Sequence, residues 1–255
     1  MRNLKPEEVS WRRGTLPFEM TMAKYQLKNL LELAKGESAL DLGCNDGFIT
    51  KELCKRFSRV WGVDASEEHI NVARQRGIPN AVFHRALFEE FDPGDELFDT
   101  IYMVNILEHV DNPVDMLSRA RGWLNQNGFI VIHVPNALSL NRRLGQLMGV
   151  IDNWYELSAT DVEVGHRRFY DADSLKKAII ASGLRVESMG GVMLKPFSHP
   201  QMEWFISCEA WDKGSRGWGR KDKSVDWREK LCDALCEMAK ELPQYSSPIW
   251  ARCMK

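Results

Sequence analysis

The residues of this chain best placed to do chemistry are two carboxylates, each at the end of a short apolar run. Ala39-Leu40-Asp41-Leu42-Gly43-Cys44-Asn45-Asp46-Gly47 passes from an apolar segment through an acid into a glycine-containing turn, and a helical pattern takes over from Ile49 to Phe57. Arg59-Val60-Trp61-Gly62-Val63-Asp64 repeats the apolar run and again ends in an acid. A glycine turn lets backbone approach a ligand closely, and a carboxylate can accept both hydroxyls of a ribose diol. Asp64 follows Asp41 by 23 positions, about the separation at which a dinucleotide-type fold places its ribose acid. The chemistry this spacing suggests is nucleotide binding at the carboxyl ends of parallel strands.

Further along, other groups could act on a second substrate. His109, in Asn105-Ile106-Leu107-Glu108-His109, has an intrinsic pKa suited to a general base. The alternative is that Glu108 and His109 cap and stabilise the helix that follows. Asn136, after the proline that ends an apolar run, is expected at a pocket mouth, whereas His133 is expected inside that run as a structural residue. Gly165-His166-Arg167-Arg168-Phe169-Tyr170-Asp171 brings together a base, two cations and a phenol. Adjacent arginines suit a carboxylate or phosphate, so Arg167 and Arg168 are candidate substrate ligands and His166 and Tyr170 candidate catalytic groups. The competing reading is a surface cluster flanking a helix.

Strands alternating with helices must position these residues. Met20 to Leu33 has apolar residues at helical spacing, with Gly36 as its stop. Ser66, followed by Glu67 and Glu68, caps a helix reaching Arg76. Ala81–His84 and Phe98–Val104 read as strands, Asn112-Pro113 opens a helix to about Leu124, and Asn127-Gly128 ends that connection before a fifth strand. Two short helices are expected in Ala137–Gly165, then a helix capped near Asp173 or Ser174 and ended by Gly183. Leu184–Val192 is the sixth strand, Trp227–Leu242 a helix, and Pro248–Met254 a last, antiparallel strand. The alternation predicts an α/β fold, its mostly parallel seven-stranded sheet covered by helices on both faces.

Taken together, these blocks resemble the class I S-adenosylmethionine (SAM)-dependent methyltransferases. Leu40 to Gly47 with Val63-Asp64 resembles that superfamily's first motif and following acidic loop. Leu97 to Tyr102 through Asn105 to Val110 resembles its fourth strand and turn, and Leu124 to Asn136 its fifth. The match covers roughly residues 30–190; it resembles small-molecule methyltransferases such as those of the ubiquinone pathway and is nearly silent about substrate. The resemblance implies a Rossmann-like sheet and SAM as cofactor. Asp41, Gly43, Asn45 and Gly47 would face the amino-acid end, and Asp64, followed by Ala65, the ribose. Asn45 stands where a middle glycine is commoner, and asparagine tolerates a left-handed backbone. No acid follows the third strand at the usual place, so Leu87 and Phe88 would hold the adenine. Asn105 would sit near the sulfonium. Ubiquinone-pathway relatives carry a Glu-x-x-Glu-His version associated with a metal. Here Asn105 replaces the first glutamate, so no metal is expected.

The resemblance also implies that residues 1–36 form a helical lid, with Trp11 touching the acceptor and Phe18 beside it. Packing of that helix onto the domain is the alternative for both. Residues 37–255 would form the methyltransferase domain, with a substrate-covering insertion at 137–170. A second insertion and helix, at 205–242, would precede the last strand.

The balance of 34 basic and 36 acidic residues, a net charge of −2, gives no global attraction to nucleic acid or anionic membrane. Trp211, Trp218 and Trp227 stand among bases that could track a single strand. Interspersed acids favour a mobile insertion or a partner-contact loop instead. No apolar run reaches membrane-spanning length and Met1–Glu8 has no signal-peptide core, so a cytoplasmic protein is expected. None of the six cysteines forms a CxxC pair, and Cys232 and Cys236 read as inward residues of one helix. The expected function is methyl transfer to O or N of a small biosynthetic or secondary metabolite, one that could carry a carboxylate or phosphate. The alternatives are a cyclase or lyase releasing methylthioadenosine, a non-enzymatic SAM-binding partner protein, and a nucleic-acid methyltransferase.

Overall fold

The structure, a computed structural model, describes residues 17–207 and 227–255. Seven strands form one sheet in the order β3-β2-β1-β4-β5-β7-β6. They are β1 (Ser38–Leu42), β2 (Arg59–Asp64), β3 (Ala81–Arg85), β4 (Phe98–Val104), β5 (Leu124–Val134), β6 (Arg185–Gly191) and β7 (Ile249–Met254). Strands β1 to β5 pair in parallel, and β7 runs antiparallel between β5 and β6. The order reverses direction between β1 and β4, and such a switch opens a crevice at the strands' carboxyl ends. Asp41, Asp64 and Asn105 lie at or near that edge.

Strand β1 is buried at all five positions, as expected of a central parallel strand covered on both faces. Its side chains alternate between two cores. Leu40 and Leu42 join Ile101, Met103, Ile130 and Ile132 on one face, beneath α4 (Pro113–Gly122) and α7 (Ala172–Ala181). Ala39 joins Val60, Tyr102 and Val131 on the other, against α1 (Pro17–Glu32) and α2 (Phe48–Leu53). Leu30 of α1 is fully buried there, so the second half of this helix belongs to the core. Its first half docks on α8 (His199–Ser207) and α9 (Trp227–Glu241). Phe18 N donates to Glu203 Oε2 (2.7 Å), and Tyr25 Oη to Asp233 Oδ1 (2.7 Å).

Local signals set most boundaries. Ser66 Oγ accepts from His69 N and starts α3 (Glu67–Gln75), as its sequence predicts. Gly183, at φ +79°, ends α7. The short helices α5 (Leu140–Leu147) and α6 (Ala159–Glu163) occupy the expected insertion. Cys232 is buried on α9 with Phe18 and Met22, and Cys236 packs beside it.

Two expectations need correction, and one helix was not foreseen. Strand β5 begins at Leu124, so Asn127-Gly128 lies inside it as an irregularity opposite Phe98 and Thr100. A Cβ on Gly128 would come within 2.9 Å of Phe98 O; the glycine is a close approach between backbones rather than a stop. The cap of α7 is Asp171, whose carboxylate and the Ser174 side chain form a reciprocal capping box. Helix α8 has no counterpart in the sequence reading.

Candidate active site

The loop after β1 is built around its neighbour's carbonyl and carboxylate. Gly43 N and Cys44 N both donate to Val63 O, at 2.8 and 3.0 Å. Asp64 Oδ2 accepts from Asn45 N at 3.0 Å and Oδ1 from Ser66 N at 2.9 Å. Each carboxylate oxygen has two lone pairs, so both can still accept a hydroxyl. Asn45 sits at φ +51° between two left-handed glycines, Gly43 and Gly47, and asparagine is the side-chain-bearing residue that best tolerates this. Asp41, 2% exposed, accepts from Thr50 Oγ1 at 2.7 Å and ties the loop to α2.

A cavity of about 280 Å³ opens beside the ends of β2 and β3, lined by Ala65, Arg85, Ala86, Leu87 and Glu90. It lies next to Asp64, where a ribose-bound nucleotide would extend its base. Phe88 is half-buried against the core, with its ring tip 3.6 Å from the space a Gly43 side chain would fill. These residues fit the nucleotide. Asp64 would hold the ribose, Ala65 and Leu87 the adenine, and the 43–47 turn the amino-acid end. SAM, when bound, supplies an activated methyl group on a cationic sulfur.

Across the crevice, Asn105 at φ +54° turns the chain out of β4, and its N–H donates to His133 O at 2.9 Å. The turn that follows presses Ile106 onto the first loop. A Cβ on Gly43 would lie 2.4 Å from Ile106 Cδ1, and the left-handed φ of +75° there favours glycine as well. Glu108 is fully buried, and neither carboxyl oxygen has a hydrogen-bond partner. Burial pushes its carboxyl up to about 8, so at neutral pH it holds its proton. His109 is pushed down to about 4 by burial and by the neighbouring His166. Its imidazole is therefore neutral at pH 7.

The insertion folds His166 over this turn, with its ring centroid 4.8 Å from that of His109. His166 Nδ1 is 3.1 Å from Asp161 Oδ1. Burial would raise the Asp161 carboxyl, but hydrogen bonds from His166 and Ser158 outweigh it and hold the group near 2. An ionised carboxylate can only accept, so the proton between the two groups sits on His166 Nδ1. Asp161 was not visible as a site residue in the sequence. The signal available was Ser158 three positions earlier, the start of the capping box that fixes Asp161 on α6. A Glu108 oxygen and ring nitrogens of His109 and His166 lie within 4.8 Å of one another, a donor set that could hold a metal ion. The sequence, with Asn105 in place of an acid, pointed away from a metal here.

Other predicted residues are spent elsewhere. Tyr170 is buried in the core and donates to Leu107 O at 3.2 Å, which anchors the turn after β4. Asn136 is 2% exposed, and its amide donates to Gln244 O (2.9 Å) and Ser246 O (2.8 Å) while its carbonyl accepts from Leu138 N. It holds the insertion to the chain before β7 and is not at a pocket mouth. Arg167 pairs with Asp111, and Arg168 donates to Asp111 O at 3.2 Å. His133, fully buried, bonds Asn29 Oδ1 through Nε2 at 2.9 Å, as a structural histidine should. Trp11, Trp211 and Trp218 lie outside the described residues.

The sheet order, with its switch point between β1 and β4, is that of the class I SAM-dependent methyltransferases, and solved structures agree on the fold. A SAM-dependent methyltransferase from Mesorhizobium loti superposes with a TM-score of 0.61 at 16% identity, covering 92% of this chain and 98% of that one. Geranyl diphosphate C-methyltransferase from Streptomyces coelicolor, in complex with Mg2+, geranyl diphosphate and S-adenosyl-L-homocysteine (SAH), gives 0.58 at 17%, covering 91% and 77%. Residues 19–189 match the model of the methyltransferase domain family, and the chain belongs to that family. Ubiquinone biosynthesis O-methyltransferase of Aeromonas salmonicida is 26% identical over 64% of this chain and 69% of its own length. The mitochondrial enzyme of Rattus norvegicus is 25% identical over 64% of this chain, which spans 48% of that protein. The protein is a SAM-dependent methyltransferase. No helix among the described residues is long and apolar enough to cross a membrane.

Proposed function

We propose that this enzyme methylates an oxygen or nitrogen of a small-molecule acceptor, with His166 receiving the acceptor's proton. The observation that carries this reading is the Asp161–His166 pair, 3.1 Å apart, folded over His109 at the turn after β4. Asp161 fixes the tautomer and orientation of His166 and stabilises the imidazolium that forms. His109, with its pKa near 4, stays a neutral hydrogen-bonding wall. A relative that methylates in ubiquinone biosynthesis and a structural neighbour holding geranyl diphosphate support a small acceptor. Incubation with methyl-labelled SAM and a metabolite extract is expected to give a methylated product and SAH in equal amounts. Release of methylthioadenosine would point to cyclase or lyase chemistry instead. Asp64→Ala is expected to abolish SAH binding by calorimetry, and unchanged affinity would refute the ribose assignment.

The donor set of Glu108, His109 and His166 favours a second reading, in which a divalent cation binds there. It would give one of the two orphaned Glu108 oxygens a partner and orient an acceptor oxygen. Titration with Mg2+ or Zn2+, and its loss in Glu108→Gln, separates the two readings.

A further inference from the structure

Lys195, on the segment joining β6 to α8, is buried, with 6% of its surface exposed. Its Nζ lies 3.3 Å from His199 Nδ1. Burial, and the lysine's own charge, push His199 down to about 3, so the ring is neutral and accepts this bond. Among the described residues no carboxylate lies within ion-pair distance of the ammonium. Lysine is almost never fully buried without a partner, because an isolated charge loses its hydration there.

The surroundings make the position more positive. Arg142 repels Lys195, and its own guanidinium is committed to the carbonyls of Trp154 and Glu156 and to the face of Phe169. Helix α8 begins at His199, and a helix N-terminus carries partial positive charge. Asp161 attracts Lys195 through space, but its oxygens are already bonded to His166 and Ser158. Burial brings Lys195 down to about 8, which still leaves it mostly cationic at neutral pH.

The same contacts place Lys195 on the acceptor side of the molecule. Asn141 N, in the first turn of α5, donates to Lys195 O at 3.0 Å, which stitches this segment to the insertion after β5. Asp161, from that insertion, acts on Lys195 and bonds His166. The arginines that the sequence offered for an anion, Arg167 and Arg168, are engaged with Asp111 instead.

We propose that Lys195, with His199 beside it, binds a carboxylate or phosphate oxygen of the acceptor and so determines specificity for an anionic substrate whose reacting atom lies at His166. This rests on the acceptor reading given above. No covalent step is involved. The anion supplies the counter-charge that the fold withholds.

Inorganic phosphate, pyrophosphate and benzoate serve as probes, titrated calorimetrically into the full chain with and without SAH. At least one is expected to bind wild type and to bind Lys195→Met about tenfold or more weakly, while Lys195→Arg retains binding. SAH affinity is expected to be equal in all three proteins. The melting temperature of Lys195→Met is expected to hold or rise, because an unpaired buried cation has been replaced by an apolar chain of similar volume. Equal anion binding by wild type and Lys195→Met would overturn the proposal, as would the absence of any anion binding to wild type. A Lys195→Met protein that loses SAH affinity and thermal stability together would make the lysine structural. Because anions are also titrated without SAH, failure of the nucleotide site and failure of the anion site are separate results.

Discussion

His133 illustrates how a single buried side chain ties stability to pH. Its Nε2 bonds Asn29, its Nδ1 has no partner, and burial lowers its pKa to about 3. An unfolded histidine titrates near 6.5, so between that value and 3 the unfolded chain binds the extra proton. The stability this residue contributes is present above pH 6.5 and is lost as pH falls toward 3. Urea denaturation is expected to show the protein about 2 kcal/mol less stable at pH 5 than at pH 7.5 from this group alone. His133→Gln, which can keep the bond to Asn29 without titrating, is expected to flatten that acid limb. A limb unchanged by the substitution would assign it to other groups. The structural role of His133 was legible because it lies within an apolar run. Lys195 and Asp161 were not: the cap at Ser158 marks Asp161 only as a helix start, no local pattern marks Lys195, and the two meet only through the folded insertion.

At the scale of elements, the insertion is held by a few polar tethers. Asp171 caps α7 through Ser174 and accepts Tyr155 Oη at 2.6 Å, so one carboxylate fixes a helix start and pins the chain before α6. Losing a cap of this kind costs about 1 kcal/mol, and here a tether goes with it. Asp171→Ala is expected to lower the melting temperature by about 2–4 °C and to speed proteolytic cleavage between Leu147 and Gly165. Unchanged cleavage would mean that α5 and its contacts hold the insertion alone. Strands and helices up to α4 were readable because each starts and stops on its own glycine, proline or cap. The cap of α7 was misplaced because Asp171, Asp173 and Ser174 all offer a suitable oxygen; the reciprocal bonds of Asp171 and Ser174 fix the start, and Tyr155 adds a tertiary bond to the same carboxylate. Helix α8 was missed because its sequence, His199 to Ser207, has neither a strong period nor an acidic first turn.

For the whole molecule, the sheet depends on its last strand. β7 pairs with both β5 and β6, which do not touch each other. Without it β6 has no partner and β5 exposes a full apolar edge, the kind of edge that recruits other chains. Deletion of residues 249–255 is expected to give insoluble protein, and a soluble, cooperatively melting product would contradict this. The last strand and its antiparallel sense were legible in the sequence, and its place between β5 and β6 follows only from the pairing.

The contact of Gly43 with Ile106 sets the loop after β1 directly against the turn after β4. A larger residue at position 43 would have to displace the Ile106 tip, and that tip belongs to the turn that carries Glu108 and His109. The narrowest place in the crevice is therefore kept by a residue with no side chain at all.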